Sequence, residues 1–278
     1  NKKLDIMWIE LIKLTALLLA LTLLLTFVYR AMGKNSVKGR LVQGALFGLI
    51  AVLGMSMPVH FSTGIIIDPR SVIISMAGFF GGPLTGIPAM LIAGGYRLSL
   101  GCAGAVAGSL VVFLTGVTGI AAYFLRKRLY ISRSVSHFFL FGLICHFIAM
   151  FGMLALPSEI MWNVVEGLSV PFFLIYPPVT VFLGYLLADI ERKYQLELKL
   201  RTSTAQLRTL FNTAPELIWL KDTHGVYLMC NQLVETYLGV SESVLKGTTD
   251  YNYIDKEQAD FIRASDLKSI ESGGGNSQ

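Results

Sequence analysis

The chain has 278 residues, of which 54% are hydrophobic and 15% are charged, and its formal net charge is +5. Soluble domains carry about 25% charged residues, so the composition excludes an ordinary soluble protein and indicates an integral membrane protein with a soluble tail. The cations lie in short segments between apolar runs, a pattern that reports membrane topology and does not indicate nucleic-acid binding. The three cysteines, Cys102, Cys145 and Cys230, are few, odd in number and far apart, so the sequence shows no disulfide framework and no Cys-x-x-Cys metal spacing.

Apolar stretches occupy the first two thirds of the chain. They run over residues 8–29, 41–57, 71–95, 104–125, 137–156 and 168–188. A membrane-spanning helix needs about 20 residues; the second stretch is short, and the third is long and is interrupted midway by Gly81-Gly82-Pro83. The first stretch lacks a small-residue cleavage site, so we expect an anchor and not a removed signal peptide.

Two basic segments predict the topology. The segment after the first stretch contains Arg30, Lys34, Lys38 and Arg40, and the segment after the fourth contains Arg126, Lys127, Arg128 and Arg133. Because cytoplasmic loops are enriched in Lys and Arg, both segments should be cytoplasmic. An even number of crossings must separate them, yet three stretches lie between. The third stretch is therefore expected to double back at its Gly-Gly-Pro break as two half-helices, which gives five spans, an external N-terminus and a cytoplasmic tail after Ala188. A simple six-span topology is the alternative.

Arg70 and Arg97 bracket the interrupted stretch at or near membrane depth, where a cation is costly without an anionic partner. The nearest acid is Asp68, which leaves an excess of positive charge and predicts a small anion as the missing partner. In the five-span topology both arginines lie on the external side and can converge on one ligand; with six spans they lie on opposite faces. The alternative is that Asp68 neutralises Arg70 while Arg97 extends to the lipid headgroups.

A series of short motifs carries a resemblance. The series consists of Asp68-Pro69-Arg70-Ser71, Ala77-Gly78-Phe79-Phe80-Gly81-Gly82-Pro83, Gly86, Tyr96-Arg97-Leu98 and Gly101-Cys102-Ala103-Gly104. It resembles the five-transmembrane sensor domain of the LytS/YhcK type over about residues 5–190, a family of membrane inputs for bacterial histidine kinases and diguanylate cyclases. The resemblance implies a small, carboxylate-like metabolite as ligand. The expected ligand-binding residues are Arg70, Arg97, Asp68, Gly81, Gly82, Tyr96, Gly101 and Cys102.

The remaining polar residues of this region fit structural roles. His146 lies in the middle of a span and is expected to form an interhelical hydrogen bond, and four scattered histidines give no metal constellation. Pro171, Pro177 and Pro178 lie in the last stretch, where they predict a kink in the helix that leads to the tail, with ordinary packing irregularity as the alternative.

A charged helical segment without Gly or Pro follows the last span and is expected to form a stalk at 189–206. Its apolar seam is imperfect; it includes Leu186, Ile190, Lys193, Glu197, Leu200, Ala205 and Leu207, with Leu196, Leu198 and Leu210 as further apolar positions. We interpret it as a parallel dimer, with a helix lying on its own soluble domain as the alternative.

Residues 207–278 resemble a truncated PAS domain. The resemblance rests on the run from Ala214 to Asn231, A-P-E-x-I-W-x-K-D-x-x-G-x-Y-x-x-x-N. The pattern predicts strands at 217–221 and 226–230, a helix capped by Asn231 that runs toward Gly239, and a helix at 256–271. A PAS fold has a five-stranded sheet, of which only two strands are present. Asp250, Asp255 and Asp260 are spaced like a solvated surface, and no cofactor, metal or catalytic residue is expected.

The expected fold is thus a membrane all-α bundle of five to six spans, one of them re-entrant, at 1–188, followed by the stalk and an incomplete α+β PAS domain. The expected function is the sensory input region of a bacterial inner-membrane protein, a homodimer in the lipid bilayer that relays binding of a small anionic metabolite to an absent output module. A cyclic-di-GMP module of the GGDEF/EAL type is favoured over a histidine kinase, and a small-solute transporter is a further alternative because broken helices are typical of carriers.

Overall fold

The computed structural model describes residues 2–34, 36–56, 59–62, 65–67, 70–101, 104–129, 134–156, 158, 161–162, 165–166 and 171–272. Within these ranges only the backbone is described at 2–15, 59–62, 65–67, 171–172 and 272. The chain divides into two compact units, Asn1–Gln195 and Leu196–Gln278.

The first unit is a helical bundle. Its elements are α1 (Lys2–Met32), α2 (Val37–Ser56), the strands β1 (Val59–Ser62) and β2 (Ile65–Ile67), then α3 (Arg70–Gly81), α4 (Pro83–Ser99), α5 (Ala105–Leu129), α6 (Val135–Phe151) and a 3-10 helix (Gly152–Ala155). A π-helical segment (Pro171–Ile175) leads into α7 (Tyr176–Thr213). Among the described residues, four helical stretches are long and apolar enough to cross a membrane: Val37–Ser56, Ala105–Leu129, Val135–Ala155 and Phe173–Thr213. The part of α1 whose side chains are described, Ala16–Met32, is also apolar.

Helices α3 and α4 form the hairpin that the Gly-Gly-Pro break predicts. Gly82 adopts a positive φ of 66°, which L side chains rarely adopt, and Pro83 begins α4 at a position where its missing N–H costs no helical hydrogen bond. A Cβ added at Gly86 would lie 3.1 Å from the Cα of Gly78, and these two residues are equidistant from Gly82 along the chain. The third apolar stretch therefore doubles back on itself.

Helix α3 is the centre of the bundle. Its residues from Ser71 to Phe80 are all buried, and it contacts α2, α4, α5 and α6. Helix α5 runs beside it at close range because Gly78 and Gly119 leave out the side chains that would collide with the opposing backbone. A helix that is apolar and buried all round belongs to the interior of a protein, so α3 is an inner element and not one of the lipid-facing spans.

The prolines of the last stretch lie where the helix type changes. Pro177 and Pro178 are the second and third residues of α7, directly after the π-helical segment. The helix continues from Tyr176 to Thr213 as one element of 38 residues, and Pro171 begins the π-helical segment before it.

The second unit has the elements of a partial PAS domain. An antiparallel pair, β3 (Trp219–Lys221) and β4 (Tyr227–Cys230), is followed by α8 (Gln232–Leu238), α9 (Glu242–Leu245), a 3-10 turn (Asp250–Asn252) and α10 (Lys256–Ser272). Asn231 caps α8 by accepting a hydrogen bond from the Val234 amide, and Gly239 ends it in the left-handed conformation. The hydrophobic core of this unit is small and is formed by Tyr227 and Cys230 of β4, Val234 of α8 and Leu245 of α9.

The fold class expected from the sequence is confirmed. The two strands, the Asn231 cap and the last helix of the second unit lie where the pattern predicts them. Neither the short β1–β2 pair after α2 nor the short helix α9 was predicted. Asp250 was expected on a solvated surface, and this is wrong: it is 4% exposed and paired with Lys221.

Candidate functional site

The α3–α4 hairpin brings the ends that carry Arg70 and Arg97 to the same side of the bundle. Arg70 is the first residue of α3, and Arg97 lies in the last turn of α4. The pairing continues along the hairpin, because a Cβ at Gly116 would contact both Ile74 and Met90, which are again equidistant from Gly82. The same register places Arg70 level with the last turns of α4, just before Arg97.

The side chain of Arg97 lies across the start of α5. Its Nη2 donates a hydrogen bond of 3.4 Å to the carbonyl oxygen of Gly104, and its Nε lies against Gly108. The Nε atom is buried and has no hydrogen-bond partner among the described residues. A guanidinium carries five N–H donors in a planar fork that suits carboxylates and phosphates. Arg97 is therefore held in place by α5 with donor capacity unused.

Tyr96, next to Arg97 in the last turns of α4, contacts the end of α2. Its hydroxyl lies 3.1 Å from the hydroxyl of Ser56, the last residue of α2, and its ring packs against the hydrophobic core. Gly101, between α4 and α5, is exposed and has a positive φ of 60°. Both residues lie close to Arg97 in the fold.

Other predicted ligand residues are elsewhere. Gly81 and Gly82 form the turn at the opposite end of the hairpin, about 16 Å from Arg70 at the ordinary rise of an α-helix. The structure does not bring these two glycines together with Arg97. Asp68 and Cys102 lie outside the described residues. The arrangement at this end of the bundle thus comprises Arg70, Tyr96, Arg97 and Gly101.

A buried polar cluster begins at Ser71, the residue after Arg70. The Ser71 hydroxyl lies 3.1 Å from His146 Nε2, and His146 Nδ1 lies 2.8 Å from the carbonyl oxygen of Gly142. A carbonyl only accepts, so Nδ1 carries the proton and Nε2 of a neutral ring accepts from Ser71. The ring also stacks on Tyr176, with centroids 4.7 Å apart. The interhelical hydrogen bond expected of His146 is confirmed.

This cluster links three helices. Ser71 follows Arg70 in α3, His146 lies in α6, and Tyr176 is the first residue of α7, the helix that leads out of the bundle. Reasoning from the sequence missed Ser71 and Tyr176; the one available hint was a histidine within an apolar span. The cluster is a direct physical connection between the start of α3 and the start of α7.

The second unit has its own buried charged network. Lys221 Nζ lies 2.6 Å from Asp250 Oδ2 and 4.8 Å from the ring centroid of Tyr227, whose hydroxyl donates to Asp250 Oδ1 at 2.5 Å. Burial, followed by the hydrogen bond to Asp250, raises the pKa of Tyr227. Every member is paired, so the network joins β3, β4 and the 3-10 turn and has the character of a structural core.

A further ion pair fixes the end of α7 within the second unit. The guanidinium of Arg208 pairs with the carboxylate of Glu242, which also accepts a hydrogen bond from the Cys230 amide at 3.3 Å. The bond from Arg208 holds the pKa of Glu242 below its ordinary value. In the part of the chain that the structure describes, no group of three or more His, Cys, Asp or Glu side chains could hold a metal ion.

Comparison with known proteins gives two matches. A family model described as "5TMR of 5TMR-LYT" matches residues 23–190, and a model described as a PAS domain matches residues 205–267. No curated protein and no solved structure matches the chain.

Proposed function

Because this chain belongs to the family described as the 5TMR of 5TMR-LYT and carries a PAS domain, we propose that it is the sensory input region of a bacterial inner-membrane signalling protein. Its ligand is a small anion, with a carboxylate the favoured class. The observation that carries this proposal is the buried Nε of Arg97, which has no hydrogen-bond partner among the described residues and belongs to a side chain that α5 holds in place.

Electrostatics favour an anion at this end of the bundle. Arg70 is half-buried at the start of α3, and Arg97 lies in the last turn of α4 on the same side. Two cations in a partly desolvated setting attract an anionic ligand more strongly than they would in water. A carboxylate accepts the two parallel hydrogen bonds that one guanidinium offers and leaves the second arginine to fix its orientation.

The basic segments predict which side is external. Arg40 lies in the first turn of α2 and Arg126, Lys127 and Arg128 in the last turn of α5, at the end opposite Arg97. Cytoplasmic loops are enriched in such cations. The arginine end therefore faces outward, and the PAS unit is cytoplasmic.

Signal transfer begins at the cluster of Ser71, His146 and Tyr176. An anion held by Arg70 acts on the first turn of α3, and Ser71 is the next residue. The hydrogen bond to His146 and the stacking on Tyr176 carry a shift of that turn to the first residue of α7. Helix α7 then extends without interruption to Thr213.

The signalling unit is a homodimer joined along α7. Beyond the membrane the helix exposes Leu196, Leu200, Leu207 and Leu210, spaced by four, seven and three residues. This spacing fits heptad a and d positions. The output is a cyclic-di-GMP module of the GGDEF/EAL type, with a histidine kinase as the alternative; measuring cyclic-di-GMP and phosphotransfer from the full-length protein distinguishes them.

The test is thermal stability of the purified chain across a panel of small anions. A ligand that binds the folded state raises apparent stability by mass action. We expect one carboxylate to raise the unfolding temperature and both Arg97→Ala and Arg70→Ala to abolish the shift, whereas Arg128→Ala, an exposed cation at the other end, keeps it. If no anion shifts the wild-type chain, or if Arg128→Ala removes the shift equally, the anion proposal fails.

A transporter is the second candidate, because paired half-helices beside a binding site are typical of carriers. Uptake of the stabilising carboxylate into proteoliposomes distinguishes the two. A sensor binds without transport, so uptake no greater than that of empty liposomes is the expected result, and uptake lost in Arg97→Ala would favour the carrier.

A further inference from the structure

A second group of cations occupies the end of the bundle opposite Arg97. Arg40 in the first turn of α2 and Arg126 and Lys127 in the last turn of α5 surround the buried ring of Tyr123; together these four residues are the basic cluster. Lys127 Nζ lies 4.6 Å from the ring centroid, and both Lys127 and Arg40 interact with the Tyr123 hydroxyl.

The basic cluster lies beside the α3–α4 turn. A Cβ added at Gly82 would lie 2.8 Å from Cε1 of Tyr123, and the Thr85 hydroxyl donates to the carbonyl oxygen of Arg40 at 3.2 Å. Helix α4 begins here with 17 residues, so the positive end of its dipole adds to the positive potential. The turn and the cluster form one electropositive surface.

Arg126 is the member least satisfied by the protein. Its guanidinium carbon lies 5.0 Å from the ring centroid of Phe79 and 6.0 Å from that of Phe80. Its Nε is buried and has no hydrogen-bond partner within the described part of the chain. The guanidinium of Arg126 is thus half-buried against two aromatic rings and keeps an N–H donor that no described residue uses. Such a group can bind an anion.

The first acids of α7 are engaged elsewhere. Glu191 pairs with Lys34, in a contact buried on both sides, and Asp189 pairs with Lys193 at 2.8 Å. Among the described residues of α7, neither acid forms an ion pair with Arg126 or Lys127.

Apolar side chains flank the cluster. Phe124, Leu125 and Leu129 on α5 and Leu41 on α2 are each more than two fifths exposed. A phospholipid has an anionic headgroup and hydrocarbon tails. The cations at the end of the span can bind the headgroup, and the exposed apolar side chains beside them can contact the tails. A soluble phosphate would use the cations and leave the apolar flank without a role.

We propose that the basic cluster binds the phosphate group of an anionic phospholipid, with Arg126 and Arg40 as the principal contacts and Lys127 as a further cation. The site lies at the opposite end of the hairpin from Arg70 and Arg97 and does not depend on the ligand proposed there. A bound phosphate neutralises the electropositive surface and holds α2 and α5 against the α3–α4 turn.

The test is lipid binding by the whole chain in neutral detergent, followed by native mass spectrometry during titration with phosphatidylglycerol or phosphatidylcholine. We expect phosphatidylglycerol to bind about tenfold more tightly, and Arg126→Gln and Arg40→Gln each to remove about that factor, equivalent to about 1.4 kcal/mol. Arg128→Gln is the matched control, because it removes the same charge two residues along α5 from an exposed position; we expect a change below about twofold.

Three outcomes would overturn the proposal. Equal weakening by Arg128→Gln would reduce the effect to general attraction between a basic surface and anionic lipid. Equal binding of the two lipids would show that the negative charge of the headgroup is not recognised. Displacement of the lipid by millimolar inorganic phosphate would identify a soluble anion as the occupant.

Arg126→Lys separates binding from folding. This variant keeps the charge and loses the planar fork, so it should remain folded and bind phosphatidylglycerol more weakly than the wild-type chain. If Arg126→Gln does not fold, the lipid affinities of Arg126→Lys and Arg40→Gln are compared with that of the wild-type chain. Wild-type affinity for phosphatidylglycerol in both variants would contradict the proposed lipid site.

Discussion

Gly108 in α5 leaves the space that the Arg97 side chain of α4 occupies, because a methyl group at position 108 would overlap Arg97 Nε and lie 3.2 Å from Cγ and Cδ. Gly108→Ala should therefore displace the guanidinium without removing it. We expect the thermal shift with the stabilising carboxylate to fall as far as it does in Arg97→Ala.

Gly95→Ala is the matched control for Gly108→Ala. It makes the same change in α4, and a Cβ at position 95 meets nothing within 4 Å. Removing an unstrained helical glycine is favourable by up to about 1 kcal/mol, so Gly95→Ala should raise the unfolding temperature and keep the ligand shift. A full ligand shift in Gly108→Ala would show that the position of Arg97 does not matter for binding.

Ser71 should be needed for signal transfer more than for binding. Ser71→Ala removes the buried hydrogen bond to His146, at a cost of about 1 kcal/mol. We expect carboxylate affinity to change by less than about threefold, since Ser71 is not among the proposed ligand contacts. Hydrogen–deuterium exchange around Tyr176 should no longer respond to the carboxylate.

The control for Ser71→Ala is Ser75→Ala. Ser75 is buried one turn further along α3, and its hydroxyl donates to the Val72 carbonyl oxygen of the same helix at 3.0 Å. The exchange response at Tyr176 should persist in this variant. A normal response in Ser71→Ala would mean that the signal reaches α7 by another route.

Lys34 and Glu191 form a buried ion pair between the α1–α2 connection and α7, with side chains 14% and 9% exposed. Removing one partner of a buried pair leaves an uncompensated charge and costs about 3–5 kcal/mol. Glu191→Gln should therefore lower the free energy of unfolding strongly in SDS titrations, and Lys34→Met in the same background should recover part of the loss.

Asp189→Asn tests whether burial of the ion pair causes the large loss of stability expected in Glu191→Gln. Asp189 pairs with Lys193 on the same helix, but those side chains are 38% and 76% exposed. Exposed pairs contribute about 1 kcal/mol or less, so this variant should be close to the wild-type chain. Losses of equal size in the two variants would contradict the importance of burial.

The hairpin, and with it the position of Arg70 and Arg97 at one end of the bundle, could be predicted from the sequence because the causes are local. A positive φ at Gly82 and a proline at the next position break a helix whatever surrounds them, and the distribution of cations predicts an even number of crossings. The clustering of Arg70 and Arg97 at one end then follows from the hairpin alone.

The remaining features depend on packing between distant segments. His146 contacts Ser71 across 75 residues, and Asp250 meets Lys221 across 29. The spacing of acids in the sequence cannot show that one of them turns inward toward a lysine. That Arg97 Nε has no hydrogen-bond partner among the described residues likewise becomes visible only when the course of α5 is known.

Stability of the second unit should fall in acid through Glu242. The hydrogen bond from Arg208 holds its pKa below the ordinary value of 4.5. A carboxyl with a lower pKa in the folded state contributes stability that is present above its unfolded pKa and lost as the pH falls through its folded pKa. The unfolding temperature should decrease below about pH 4.5, and Glu242→Gln should make that decrease smaller.

Glu257→Gln is the control for Glu242→Gln, because it removes an exposed carboxylate from the first turn of α10. Its pH dependence should match that of the wild-type chain. If Glu242→Gln keeps the full decrease in acid, other carboxylates cause it and the ion pair with Arg208 has no part.

The face of α7 that carries Leu196, Leu200, Leu207 and Leu210 should meet its own copy. The four side chains are 55–69% exposed, and in the heptad with Leu200 at a and Ser203 at d they form one seam. In a parallel pair this heptad also brings Arg192 at g beside Glu197 at e of the other copy, an attractive contact.

Leu200→Cys, in a chain whose native cysteines are replaced, should therefore form a disulfide with its own copy in membranes. Thr202→Cys, at the outer c position two residues along, should not. Equal cross-linking at both positions would indicate random collision and exclude this seam as the dimer interface.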